Sequence, residues 1–414
     1  MKNNRTYKIA YAGFLWHGFF LALTMSMLDL NTVFPALVSE LTGSKALFGL
    51  LYSIMLGVPL VFNLIFSHFL KIKKKKKKFL LLGIYLRSIA FLGMAVFTYF
   101  FALSKPILAF GSFFLWISVF ALSGGLAGIS YVDIMAKTIP SDKRTNLYAV
   151  KQFFSSGAAF LGGIAISKIF TESSLNYPNN YSLSLFIGFI GLLIASIGFL
   201  FINEPASEKI PESREPLKEY LKKVPKYLKD DFNFRRFIIA ENMASFSVMI
   251  LPFYMIFAKE VFGLDNSYIG RYLLFQITGT ILSALLWGIL AKKFSSKTIV
   301  RTCIVLGGLI PPVAIGLSFL GPDYFAIVFL LIGFVISGRR VGFEPYFLEI
   351  APDEHRTEYL GIRGTLNIFI VILPILGGIF IEILGYYFTF ILVSVVMIAS
   401  SFLLKKKNIP LNRE

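Results

Sequence analysis

The sequence predicts an all-α integral membrane protein with twelve transmembrane helices in two pseudo-symmetric six-helix bundles. Three observations predict it. The 414 residues are 56% hydrophobic and 15% charged, with 45 phenylalanines, which is more apolar surface than one or two water-soluble cores can hide. The apolar residues come in runs of about 20 or more, the length that crosses a hydrocarbon core as a helix. The one long polar interval, residues 203–236, falls near the middle of the chain.

Taken in order, the first half carries apolar runs at 9–37, 46–70, 79–103, 107–131, 147–170 and 181–202. The second half carries them at 237–258, 268–290, 299–320, 324–346, 359–383 and 386–404. They lack the two-residue alternation of a barrel strand, so each is read as a helix. Turn residues punctuate the joints, among them TGSK, SKP, YPNN and LGPD. The run after MKNNRTYK is too long for a signal peptide and is read as a retained first span. The chain thus divides into an N-terminal bundle (1–202), a linker (203–236) and a C-terminal bundle (237–414). In the linker, Leu217, Tyr220, Leu221, Val224 and Leu228 recur at helical spacing opposite Lys218, Lys222, Lys226 and Lys229. That pattern predicts an amphipathic helix on the inner membrane surface, kinked near Pro225.

Lysine and arginine set the orientation. With the N-terminus inside, 33 of the 41 fall on the inner side, including seven between Lys71 and Lys78 and nine in the linker. Five fall outside: Lys45, Lys105, Lys168, Lys259 and Arg271. Both termini are therefore expected in the cytoplasm, and the protein in the cytoplasmic membrane. The net charge of +18 reads as this bias together with attraction to anionic membrane lipids, not as a nucleic-acid surface. Cys303 is the single cysteine and the three histidines lie far apart in sequence, so neither a disulfide nor a metal cluster is expected. There is no phosphate-binding loop and no nucleophile elbow. The chain reads as no enzyme, needs no cofactor, and would draw on an ion gradient or facilitated diffusion rather than ATP.

The two halves repeat. The fourth loop reads IPSDKRTNLYAVKQ from Ile139 and the tenth reads APDEHRTEYLGIRG from Ala351, so that Arg144 matches Arg356 and Lys151 matches Arg363. LGGI follows in both, at Leu161 and Leu376. Parallel six-span repeats with a site between them characterise membrane transporters. On the twelve spans, the basic second and eighth loops and these two loop repeats, the chain resembles the major facilitator superfamily of transporters over essentially its full length. The entry LDLNTVFPALVSELTGSKALFGLL is similar to bacterial members without an assigned substrate. The resemblance implies a central site lined by the first, fourth, seventh and tenth spans. The chain departs from the family's second-loop pattern: Asn63 stands where the glycine would be and Ser67 where the acid would be, and Lys292 replaces the acid of the eighth loop. The family's usual charge latch is left without its acid in both halves.

Charges inside spans are costly and mark functional candidates. Asp29, followed by Asn31 and Thr32, lies deep in the first span, where it could handle an ion or substrate or make a structural hydrogen bond. A carboxylate in an apolar, partly wet cavity can load and release a proton near neutral pH. Arg340 and Glu344 are four residues apart and share a helix face, so they are expected to pair or to face a cavity, with Arg339 turned about 100° away and free for an anionic group. Glu241 is expected to pair with Arg235 or Arg236, or with a tenth-span arginine. Gln276 and Asn367 are uncharged cavity candidates or interhelical glue. Arg87 is expected in a structural ion pair, and Asp133 and Lys137 in an inner-side network with Arg144; Arg356 and Arg363 join these as structural or gating candidates. The expected partners are a small-molecule substrate, a coupling proton and lipid, with the chain a monomer. The remaining classes are a non-transporting receptor or assembly factor on the same fold and a membrane-embedded lipid enzyme.

Overall fold

The computed structural model describes residues 2–71, 73–172, 174–206, 225–352 and 356–404. Its N-terminal half comprises α1 (Lys2–Ser26), α2 (Val33–Leu41), α3 (Lys45–Lys71), α4 (Lys77–Phe101), α5 (Pro106–Thr138), α6 (Ser141–Thr171) and α7 (Asn179–Leu200). The C-terminal half comprises α8 (Phe232–Ala244), α9 (Ser247–Ile250), α10 (Phe253–Phe262), α11 (Ser267–Lys293), α12 (Ser296–Leu317), α13 (Pro322–Ile350), α14 (Arg356–Leu366), a 3₁₀ segment (Asn367–Ile372) and α15 (Leu373–Leu403). No strand is present among the described residues. Exposed Tyr99, Leu103, Leu285 and Ile383 sit on the outer surface where a bilayer supplies the apolar solvent. The protein is a multi-pass membrane protein.

The sequence predicts an unbroken first span, but the chain leaves helical geometry at residues 27–32 and resumes it as α2. Asp29, Asn31 and Thr32 occupy the break, and Pro35 sits in the first turn of α2. These short polar side chains bond their own backbone in preference to a helix ladder. The first span of the other half is interrupted in the corresponding place, at residues 245–246 and 251–252. Irregular backbone at membrane depth survives where protein buries it or where it lines a cavity, and both conditions hold here. Residues 362–403 form one long apolar stretch, but Gly385 (φ 79°) turns the chain within it, which keeps the eleventh and twelfth predicted spans as two crossings. That left-handed backbone suits glycine.

Each half packs its own helices, α4 with α5 and α7, α1 with α6 and α7, α11 with α13, and α12 with α13 and α15. The halves meet through α3 with α15, α6 with α11, and α2 with α10. The chain alternates direction, so the loops after α3, α5 and α7 share one face with the linker, called here the basic face. Among the described residues, the polar bonds observed between the halves lie in the middle or toward the opposite face. There Glu40 pairs with Lys259, Lys45 with Glu260 at 3.0 Å, and Glu382 accepts from Ser44 Oγ at 2.8 Å and from the Ala46 amide at 3.1 Å.

Most of the predicted linker helix, including Leu217 to Val224, lies outside the described residues. Residues 225–230 are helical. Tyr227 and Leu228 pack against the main apolar core, and Tyr227 meets the Tyr359 ring at 5.5 Å. Tyr359 donates from its hydroxyl to Asp231 at 2.9 Å. This end of the linker is fastened to the C-terminal half.

Candidate functional site

Between the halves lies a cavity of about 450 Å³, lined from α1 by Gly18 to Ser26, from the break by Asp29, Leu30 and Asn31, from α6 by Lys151 to Ala159, from α11 by Gln276 to Ile281, and from α13 by Ile336 and Arg340. The resemblance placed the first, fourth, seventh and tenth spans around such a site. Here the fifth and eighth take the places expected for the fourth and seventh. α6 and α11 pack closely beside the cavity, with Gly270 against Ser167 and Gly163 against Leu274 and Ile277.

Asp29 is held from both halves. Its Oδ1 accepts from the Asn31 amide at 2.9 Å and from Thr32 Oγ1 at 2.9 Å, while Oδ2 accepts from Gln276 Nε2 at 3.1 Å. Gln276 Oε1 in turn accepts from Asn31 Nδ2 at 3.0 Å. One amide side chain of α11 therefore closes a ring with two residues of the broken first span. Asp29 is the one carboxylate among the cavity-lining residues.

Several predicted pairings are corrected. Glu344 does not serve Arg340; it accepts from Arg363 Nη1 at 2.7 Å. Glu241 pairs with neither Arg235, Arg236 nor a tenth-span arginine. It takes two bonds from Arg363, Nε at 2.9 Å and Nη2 at 2.7 Å, with Asn367 Nδ2 at 3.4 Å. Asn367 also accepts from Asn242 at 3.2 Å. Asn367 and Glu241 thus belong to a clamp of α8, α13 and α14 near the basic face, away from the cavity. Arg339 donates to Ser245 Oγ at 3.1 Å and lies 4.8 Å over the Phe343 ring, against a separate pocket of about 350 Å³ in the C-terminal half. Arg340 lines both that pocket and the central cavity and has no hydrogen bond or ion pair among the described residues.

In the N-terminal half Arg144 does not join Asp133. It donates to the Ala136 carbonyl at 2.8 Å and the Ile139 carbonyl at 3.0 Å, satisfying acceptors that the end of α5 leaves open. Asp133 instead pairs with Lys137 and Lys76, each at 2.5 Å. Lys137 reaches Glu204 at 2.8 Å, and Glu204 also accepts from the Lys76 and Lys77 amides at 2.8 and 2.7 Å. This second clamp ties the start of α4 and the end of α5 to the first residues of the linker. Glu204 and Lys76 escape sequence reasoning because one opens a linker and the other sits in a lysine run. Arg87 has no ionic partner among the described residues; its guanidinium lies 4.2 Å over the Phe120 ring. The side chains of Ser67 and Arg356 lie outside the described set.

Glu204→Ala strands the Lys76 and Lys77 amides and takes one of its two carboxylates from the Lys137 ammonium. We expect a loss of about 3 kcal/mol, read as a lowered unfolding temperature in detergent. Arg271→Gln, which removes an exposed pair with Asp323, is expected to cost no more than about 1 kcal/mol in the same measurement.

A family model described as Major Facilitator Superfamily matches residues 15–338 and 237–413. The chain belongs to the Major Facilitator Superfamily. As a member of that superfamily it is a transporter and not an enzyme. No match was found among curated protein sequences. Among solved structures, the chain superposes on a D-xylose-proton symporter with a TM-score of 0.64 at 15% identity, covering 97% of this chain and 96% of the other. A peptide transporter POT in complex with sulfate gives 0.69 at 11% identity, covering 95% and 93%. A bacterial homologue of the iron transporter ferroportin, in an inward-facing state, gives 0.65 at 14% identity, covering 95% and 98%. At these identities the likeness is one of fold.

Proposed function

We propose that this superfamily member is a secondary active transporter that moves a small solute across the cytoplasmic membrane by alternating access, with a proton as the coupling ion and Asp29 as its carrier. In this reading both termini lie in the cytoplasm, the basic face is the inner one, and the two halves joined by the linker rock about the central cavity. The observation that carries it is the Asp29–Gln276 bond. It joins the one cavity carboxylate to the opposite half, so the charge on Asp29 and the contact between halves are linked. A hydrogen bond to a charged group is worth about 1.5–3 kcal/mol. Discharging Asp29 weakens that bond, and each 1.4 kcal/mol or so shifts a two-state ratio about tenfold.

The test uses proteoliposomes on a solid-supported membrane, challenged with sugars, amino acids, short peptides and organic acids. A solute that evokes proton movement in the wild type and none in Asp29→Asn supports the reading. Solute uptake that ignores an imposed pH gradient and is unchanged in Asp29→Asn removes the proton from it. No solute-evoked flux of any kind favours a receptor or assembly role on the same fold.

A further inference from the structure

A second cavity of about 210 Å³ lies inside the N-terminal half. His17, Gly18 and Leu21 line it from α1, Arg87 from α4, Tyr131 from α5 and Lys151 from α6. Gly18, Leu21 and Lys151 also line the central cavity, so the two spaces adjoin.

Its charge is one-sided. Arg87 keeps its guanidinium positive under all ordinary conditions and makes no hydrogen bond or ion pair among the described residues. Its Nε is buried without a partner. The Phe120 face at 4.2 Å offsets part of the desolvation, but a buried, unpaired ion costs more than a ring face returns. Lys151 has no carboxylate partner among the described residues either. It donates to Tyr131 Oη at 3.0 Å and lies 5.1 Å over that ring. As Tyr131 accepts there, its own hydroxyl hydrogen stays available. No Asp or Glu is among the lining residues; the nearest acid along α5, Asp133, is already taken by Lys76 and Lys137. Two cations and a hydroxyl donor thus converge on a small space that holds no protein anion.

We propose that this side pocket binds the carboxylate or phosphate group of the transported solute, whose remainder extends past Lys151 into the central cavity. The solute class is a small organic anion. Arg87 offers the fork of N–H donors that matches such a group bidentately, and Lys151 stands at the junction of the two spaces. The same chemistry could hold a free inorganic anion as a fixed counter-ion, and the experiment separates the two. The assignment to a solute rests on the transport reading, but binding is measured without flux. Intact anion binding with no flux would count against transport alone; flux with no anion binding would count against the side pocket alone.

The purified full-length protein is titrated with inorganic phosphate, succinate and glycerol 3-phosphate, against glycerol and chloride at matched ionic strength, with thermal stability as the readout. The expected result is saturable stabilisation of the wild type by the anions and none by glycerol. Arg87→Gln should weaken the apparent affinity at least tenfold, Lys151→Gln should also weaken it, and Arg87→Lys should keep part of it. Tighter binding of succinate or glycerol 3-phosphate than of phosphate assigns the pocket to a solute head group. Equal binding of all three assigns a free anion and overturns the solute class. Stabilisation of the wild type no greater than that from chloride overturns the site itself, as does an unchanged response in both Arg87→Gln and Lys151→Gln. Should Arg87→Gln fail to fold, the wild-type titration and Lys151→Gln still decide.

Discussion

Glu241→Gln is expected to cost about 3–5 kcal/mol of stability, the largest loss from any single isosteric change at the basic face. Glu241 and Arg363 are both largely buried, with side-chain exposures of 4% and 14%. The carboxylate takes two bonds from the guanidinium, in the fork geometry that makes such pairs strong. Glutamine keeps the shape but loses the charge, and its amide nitrogen would face an N–H donor. Arg363 would then depend on Glu344, which is 55% exposed and loses much of its attraction to solvent screening. The measurement is thermal unfolding in detergent. The paired variant Glu241→Gln, Arg363→Met should recover much of the loss, because the one charge it leaves unpaired, on Glu344, is more than half exposed. A drop in Glu241→Gln no larger than that in Glu344→Gln would contradict this account.

Gly378→Val is expected to prevent closure of the face opposite the linker and to reduce transport at least tenfold. A β-carbon at this position would lie 2.1 Å from the Lys45 carbonyl oxygen, with the Lys45 carbonyl carbon at 2.5 Å. Both obstacles are backbone, so no rotamer change relieves the clash. Since α15 and α3 belong to different halves, the clash acts on their relative position and leaves each bundle's own core alone. Spin labels or cysteine-accessibility probes placed on α3 and α15 at that face should report a separation that the wild type lacks. An unaltered distance distribution would mean that the seam yields locally and that the halves are not set by this contact.

The spans were legible in the sequence because a run of apolar residues long enough to cross a bilayer is a local property. The repeated loops at Ile139 and Ala351 were legible for the same reason. The break in the first span had a signal that length alone concealed: Asp29, Asn31 and Thr32 within four residues, with Pro35 just beyond. Pairings were far less legible. Arg340 and Glu344 share a helix face, yet Glu344 turns to Arg363 because α14 delivers a guanidinium there that no spacing rule on one helix can foresee. Arg144 looked like a network partner for Asp133 but meets the open carbonyls at the end of α5 first. Glu204 carried no motif at all. Its importance comes from the Lys76 and Lys77 amides, which the fold brings to it from more than a hundred residues away. Which charge finds which partner is decided by helix packing, and packing is the part of the fold least written in any one segment.

The seam opposite the linker has an unequal makeup. Its interior is backbone against glycine, whereas its rim is held by Glu40 with Lys259 and Lys45 with Glu260. Rim pairs of this kind feel dissolved electrolyte, whose screening length is about 8 Å at physiological strength and about 3 Å at 1 M. The interior of the seam does not. For two halves that part at this face, the medium bathing it would weaken the latch as its salinity rises, while the basic side stays indifferent. The resting balance between the protein's states would then be set in part by the composition of one compartment alone.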